Sequence, residues 1–372
     1  MADAAACRLV LVGGGHSHVL VLAALVAHPE PRLSVTVVSP ERYTTYSGMV
    51  PGVIAGQYAL RAAQIDVEAL ARRAGAVFLQ SRATGVDPAR RTLAVGDGAA
   101  LPYELLSFDI GARATDMPPR EPDAAVVALK PIDRAVAEID AALATAPTPP
   151  GRRIVVVGAG AGGSEVAFAL AARTRNEPGA AVTVCDAGDR PVAERGSRTA
   201  AVVERAFAGA GIRFVGGAAV ERVTRAGVQL ARHGEVPADL VIWATGAAAP
   251  ALFAESGLPV DPNGYLLVGP DLRCVAHAQI FGAGDCATMT THPDLPKAGV
   301  FAVRQAPVLA ANLRAAARGA VLQSYRPQPR FLSLLNTGDG RAIVSYAGFA
   351  RHTHWAWRLK DWIDRRFVAQ FA

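Results

Sequence analysis

The chain has 372 residues, 51% of them hydrophobic and 6% aromatic, enough to bury two or three cores. Its net charge of +6 is modest, and no nucleic-acid-binding motif is present, so nothing argues for a nucleic-acid partner. The cysteines Cys7, Cys185, Cys274 and Cys286 form no C-x-x-C pair and do not resemble a disulfide framework, which suits a reducing cytoplasm. No uncharged apolar run approaches the ~20 residues of a membrane span. A strand expected from Arg8 leaves no room for a signal peptide. A cytoplasmic protein is expected, soluble or lying on the cytoplasmic face of a membrane. Lysines are scarce, Lys130, Lys297 and Lys360 only, which reads as genome composition.

The first element is LVLVGGGHSHVLVL, residues 9 to 22: an apolar strand, a glycine turn, then a small-residue helix. Gly13 and Gly15 stand where G-x-G-x-x-G has its first two glycines. His18 replaces the third, the one needed for close helix–strand packing. The next strand ends at Ser39 in place of the acidic residue that usually binds a ribose; a hydroxyl serves there more weakly. His16 and His18 form an H-x-H, but no further metal ligand lies at useful spacing. The reading is one imidazole packed on the sheet and one near a phosphate.

The plan repeats in RIVVVGAGAGGSEVAFAL, 153 to 170, with Gly158 placed 145 residues after Gly13. Gly158, Gly160 and Gly163 complete G-x-G-x-x-G between a strand and a helix, where backbone N–H groups and the helix dipole favour a pyrophosphate. Asp186, 23 residues past Gly163, ends the next strand. A carboxylate there accepts ribose hydroxyls and repels a 2′-phosphate, favouring NADH over NADPH. Proline-rich stretches at 115–122 and 145–153 read as exposed joints. Later come a strand in LVIWATG (240–246), a short strand ending at Gly284-Asp285 in QIFGAGDCA, and a long helix from Gly299 to Gly319.

This order resembles the FAD-dependent pyridine nucleotide-disulfide oxidoreductase superfamily: glycine loop at Gly13, closing strand YELLSFDIGA (103–112), second loop at Gly158, closing strand with Thr245-Gly246, and the Gly-Asp strand. The resemblance covers most of the chain. It implies an α/β fold of two Rossmann-like dinucleotide-binding domains, glutathione-reductase-like, with the NAD domain inserted in the FAD domain. The expected boundaries are 1–122 and 247–324 for the FAD domain, 123–246 for the NAD(P)H domain and 325–372 for a C-terminal segment. No redox disulfide is available between Cys7 and Cys185. This points to the branch with type II NADH dehydrogenases, the ferroptosis suppressor protein and sulfide:quinone oxidoreductases. VGGGHSHV, RYTTYSGMVPGVIAG and KDWIDRRF look closer still to the flavoprotein module associated with selenide, water dikinase.

By the resemblance, Gly13, Gly15, His16, His18, Ser39, Arg42, Gly111, Gly284, Asp285 and Lys297 bind FAD. Gly158, Gly160, Gly163, Glu165, Asp186, Thr245 and Gly246 bind NAD(H), with NADP(H) disfavoured. Lys297 and the helix after it would stabilise reduced flavin, and Glu165 would lie near the nicotinamide; these two are the catalytic candidates. Tyr43, Tyr46 and the turn Ser47–Pro51 would pass over the flavin, with Gly48 and Gly52 allowing close approach. The implied activity is hydride transfer from NADH to FAD and on to a quinone or other small acceptor. On the helix after the Gly-Asp strand, Gln305 is the one glutamine at the expected quinone positions, and Arg304 adds a charge. The alternatives are a selenium or sulfur substrate, or a flavin-binding redox sensor with little turnover.

The tail HWAWRLKDWIDRRFVAQFA (354–372) puts Trp355, Leu359, Ile363, Phe367 and Phe371 on one stripe, widened by Trp362. Such a helix suits an anionic bilayer surface, a cover over the flavin domain, or a homodimer contact.

Overall fold

The computed structural model describes residues 6–145 and 151–372, so the joint expected at 145–153 lies partly outside the described residues. The run LVLV is buried on both faces, the condition of a central parallel strand, and it belongs to β1 (Cys7–Val12). A crossover through α1 (His16–Ala27) returns the chain to β2 (Leu33–Ser39), parallel to β1. With β3 (Val77–Gln80), β4 (Leu105–Phe108) and, far along the chain, Ile280–Gly282, these form a parallel sheet. Its order is Ile280–Gly282, β4, β1, β2, β3.

The second sheet repeats the pattern with β5 (Val126–Ala128), β6 (Arg153–Val157), β7 (Ala181–Cys185), β8 (Arg213–Val215) and β9 (Leu240–Trp243). All its pairings are parallel, in the order β5, β9, β6, β7, β8. Its crossover helix is α2 (Ala161–Thr174), and α3 (Ser197–Gly209) follows β7. The chain then returns to the first sheet as β10 (Ile280–Gly282), paired with β4, and runs into α4 (Gly299–Ala317) against α1. One sheet is thus interrupted by the other, which is the inserted arrangement expected from the order of motifs.

Residues 325–372 add an antiparallel sheet of β11 (Ser333–Asn336), β12 (Ala342–Tyr346) and β13 (Phe349–Thr353), then α5 (His354–Ala369). Thr353 caps α5 by accepting the Ala356 N–H. The stripe foreseen on this helix is divided. Phe367 stacks on Tyr46 with ring centroids 4.3 Å apart, and Phe371 is buried in the first core. Trp355 and Trp362 face outward, 50% and 59% exposed. No helix among the described residues is long and apolar enough to cross a membrane.

Candidate functional site

Both glycine loops leave the carboxyl end of a central strand and open a helix, the place where α/β sheets take ligands. At the first loop Gly13 has φ +94°, and a Cβ there would lie 2.3 Å from the Asp109 carbonyl oxygen. His18, fully buried, stands where the third glycine is missing. Its Nδ1 is 2.8 Å from the Gly13 carbonyl and its Nε2 is 2.9 Å from the Ser107 hydroxyl. The imidazole ties loop, helix and β4 together where a glycine would let them touch. Burial drops its pKa to about 4, so it is neutral.

The expected closing strand delivers a residue that sequence reading passed over. Asp109, just past β4, accepts from the N–H groups of Ser17 at 2.7 Å and His18 at 3.1 Å, at the N-terminus of α1. It fills the gap between two turns: a Cβ on Gly15 or Gly284 would come within 2.5 Å of its carboxylate. Burial lifts it to about 7 against the pull of those two N–H groups, and Asp285 nearby adds to the rise. The N–H groups of Gly14 and His16 have no acceptor among the described residues. The buried Nε2 of His16 has no hydrogen-bond partner among them either.

The Gly284-Asp285 turn follows β10 and is held from behind by Gln305 of α4, whose Oε1 accepts the Gly284 N–H at 2.7 Å. That bond occupies the glutamine singled out as a quinone contact, while Arg304 points to solvent. Asp285 is paired with Lys130 at 3.0 Å, a residue just beyond β5 that sequence reading left unassigned. Lys297 donates to the Ala287 carbonyl at 2.5 Å and the Thr288 hydroxyl at 2.8 Å, and its ammonium lies over the Tyr265 ring. It sits beside the start of α4, as expected.

At the second loop Gly158 has φ +105°, and a Cβ on Gly163 would lie 2.0 Å from the Gly158 carbonyl, so both must be glycine. Gly160 caps α2 and has nothing within 4 Å of where its Cβ would be. Asp186 accepts from the Ala159 N–H at 2.5 Å and the Gly188 N–H at 2.7 Å, which fixes its carboxylate beside the loop. The hydroxyls of Thr245 and Thr115 share a hydrogen bond, and Gly246 packs against Thr115, so the two crossings between units run side by side.

Glu165, one turn into α2, accepts from the Asn336 N–H at 2.8 Å at the end of β11. Lost solvent contact lifts its carboxyl to about 7, opposed mainly by Lys360. Lys360 of α5 is buried, and it donates to the Gly48 carbonyl at 2.7 Å and to Asp364 at 2.9 Å. Burial pulls this ammonium down, but Glu165 and Asp364 outweigh it, so it stands above its ordinary value. Burial raises Asp364 while Lys360 pulls it back. The tail therefore covers the Tyr46–Gly48 turn and reaches the charged face of α2.

The remaining expected residues have mostly local contacts. Arg42 forms ion pairs with Asp66 and Glu68, and Tyr43 lies under the guanidinium groups of Arg61 and Arg42. Ser39 donates to the Glu41 carbonyl at 2.9 Å. Gly111 has φ +65° with open space around it. The signal that was readable but unread is the rarity of lysine: each of the chain's three lysines is engaged in the fold, with ammonium groups bonded to Asp285, to the Ala287–Thr288 strand and to the Gly48 turn.

The residues present fit a dinucleotide at each loop, because backbone donors stand free at both helix starts and His16 presents an unpartnered ring nitrogen. A probable ferredoxin reductase, CtmF, of Castellaniella defragrans is 25% identical over 334 residues, spanning 87% of this chain and 77% of that one. The sulfide:quinone oxidoreductase of Aquifex aeolicus superposes with a TM-score of 0.82 at 18% identity, covering 98% of this chain and 91% of that one. NDH2 of Plasmodium falciparum, solved in complex with NADH, gives 0.79 at 15% identity with 97% of each chain covered. These two structural likenesses speak for the fold. The pyridine nucleotide-disulphide oxidoreductase family matches residues 7–307, so the chain belongs to that family and is an oxidoreductase that works with a flavin and a pyridine nucleotide.

Proposed function

We propose that this protein moves hydride from NADH to FAD and passes the electrons to a quinone or other small acceptor. The observation that carries the reading is the Lys130–Asp285 pair. Lys130 lies beyond the carboxyl end of β5 in the second sheet, and Asp285 beyond that of β10 in the first. The ligand-binding ends of the two sheets thus face each other across one junction. In this reading Gly13, Gly15, His16, Gly284 and Asp285 hold FAD, with Ser39, Gly111 and Arg42 toward its adenosine end. His18 supports that loop from behind. Gly158, Gly160, Gly163, Asp186, Thr245 and Gly246 hold NADH. The domain boundaries follow suit: 1–122 with 247–324, 123–246 and 325–372.

The flavin supplies the two-electron chemistry when bound. The protein's part is electrostatic and steric. Lys297 and the N-terminus of α4 favour negative charge at the ring edge. Glu165, lifted by burial to about 7, would stand beside the nicotinamide as a group able to give or take a proton near neutral pH. Asp186 is oriented by two N–H groups, which supports NADH over NADPH.

A lipophilic acceptor is supported by the outer face of α5, where Trp355 and Trp362 stand exposed with Arg358 and Arg366. A sulfur or selenium substrate is less well served. Cys185, Cys274 and Cys286 are buried, and burial raises all three thiols. Steady-state NADH consumption with menadione, polysulfide or selenite as acceptor tests this. Turnover with menadione alone is expected, whereas turnover with polysulfide or selenite but not menadione overturns the acceptor assignment.

A further inference from the structure

A cavity of about 480 Å³ opens between α3, the C-terminal sheet and Phe168 in the middle of α2, and the chemistry above does not use it. Phe168, Val202 and Ala206 form its floor, between α2 and α3. Its rim comes from the C-terminal sheet and α3: Arg205, Arg341, Arg351 and His352, with Thr337 and Asp339. The fold builds this shape. Thr199 of α3 bonds Ser345 of β12 at 2.8 Å, so α3 lies across the sheet while its later turns stand off from the β11–β12 turn.

The charges on the rim are unequal. Asp339 is already used: it accepts from the Thr337 hydroxyl at 2.6 Å and from the Arg341 N–H at 3.1 Å, and lies 3.8 Å from His352. Arg205 and Arg351 are exposed and have no acidic partner within ion-pair distance among the described residues. Two exposed guanidinium groups outside any ion pair, above an apolar floor, match a ligand that is apolar at one end and anionic at the other, with Glu204, itself bonded to Arg190, the nearest acidic group to Arg205.

We infer that this cavity binds a small organic anion, an apolar body carrying a phosphate or carboxylate head. The body rests on Phe168 and Val202, and the head meets Arg205 and Arg351. The cavity is separate from the second dinucleotide loop, since Phe168 lies roughly 10 Å along the α2 axis from Ala161 at its start, and no residue of the first loop lines it. It does touch the strand end that holds Glu165: Asn336 binds that carboxylate, and Thr337, the next residue, lines the cavity.

The test is isothermal titration of the full-length, flavin-loaded protein with phenyl phosphate, benzoate and inorganic phosphate, with and without saturating NAD⁺. Phenyl phosphate or benzoate should bind saturably in the presence of NAD⁺, and their ratio tells which head the rim prefers. Inorganic phosphate should bind at least tenfold more weakly than phenyl phosphate. Arg205→Ala and Arg351→Ala, both at exposed side chains, should each weaken binding about tenfold while leaving flavin absorbance unchanged. The inference is overturned if neither aromatic anion binds, if both variants bind like wild type, if phosphate alone binds equally well, or if NAD⁺ displaces the probe.

Discussion

The Nζ of Lys130 lies 3.0 Å from Oδ2 of Asp285, joining the carboxyl end of the second sheet to that of the first. With Asp109 and Asp285 already close together, a pyrophosphate at this loop would add negative charge that Lys130 offsets. Lys130→Met should therefore loosen flavin roughly tenfold while the fold survives, since the pair is only partly buried. Flavin retained by the variant after gel filtration at low concentration checks this. Retention equal to wild type counts against the role given to the lysine.

Asp109 gives the protein an unusual pH response. Between 3.8 and about 7 the folded chain holds a proton on this carboxyl that the unfolded chain has released. Its contribution to stability is complete below 3.8 and is lost as pH rises through about 7. Asp109→Asn removes that loss, so its stability relative to wild type should improve on going from pH 5 to pH 8. Thermal denaturation of the apoprotein at both pH values reads the trend, and a parallel offset at both would refute it.

His18 works in the opposite sense. Between 6.5 and about 4 the unfolded chain binds a proton here that the folded chain does not, so stability falls as pH drops through that window. His18→Leu should be less stable than wild type at neutral pH by roughly 2–4 kcal/mol, having lost two buried hydrogen bonds and a close fit. The gap should narrow toward pH 4. A gap that widens on acidification contradicts the assignment of a neutral imidazole.

Lys360 and Asp364 are 6% and 4% exposed, a buried pair under the tail helix. Lys360→Met leaves a buried carboxylate without its cation and should cost roughly 3–5 kcal/mol. Adding Asp364→Asn should recover a large part of that loss. Additive losses in the double variant, measured by thermal denaturation, would show that the two residues do not act as a pair.

The two sheets were readable because each begins with a β-branched run ending at glycines, a pattern few folds share. The Gly-Asp turn was legible for the same reason. His18 was seen as a departure, but its compensation was not, since Ser107 lies 89 residues away and only the β1–β4 pairing brings it near. Asp109 is not legible as a site residue in sequence, because nothing local shows that a carboxylate at a strand end will meet a helix start 92 residues away. The tail's helix was correctly read as amphipathic, yet its buried face includes Lys360 and Asp364, which hydropathy assigns to solvent. Their burial depends on Gly48 and Glu165, distant in sequence. Lysine scarcity reads as composition, and only the fold shows that Lys130, Lys297 and Lys360 each hold a specific oxygen partner.

If two nucleotides meet where the sheets face each other, NADH must reduce the bound flavin directly. Anaerobic titration of the purified, flavin-loaded protein with NADH and separately with NADPH tests it most directly, watching the visible flavin band. Prompt bleaching by NADH with little response to NADPH is the result predicted, and Asp186→Ala should erode that preference. Flavin that stays oxidised with both nucleotides would contradict the account.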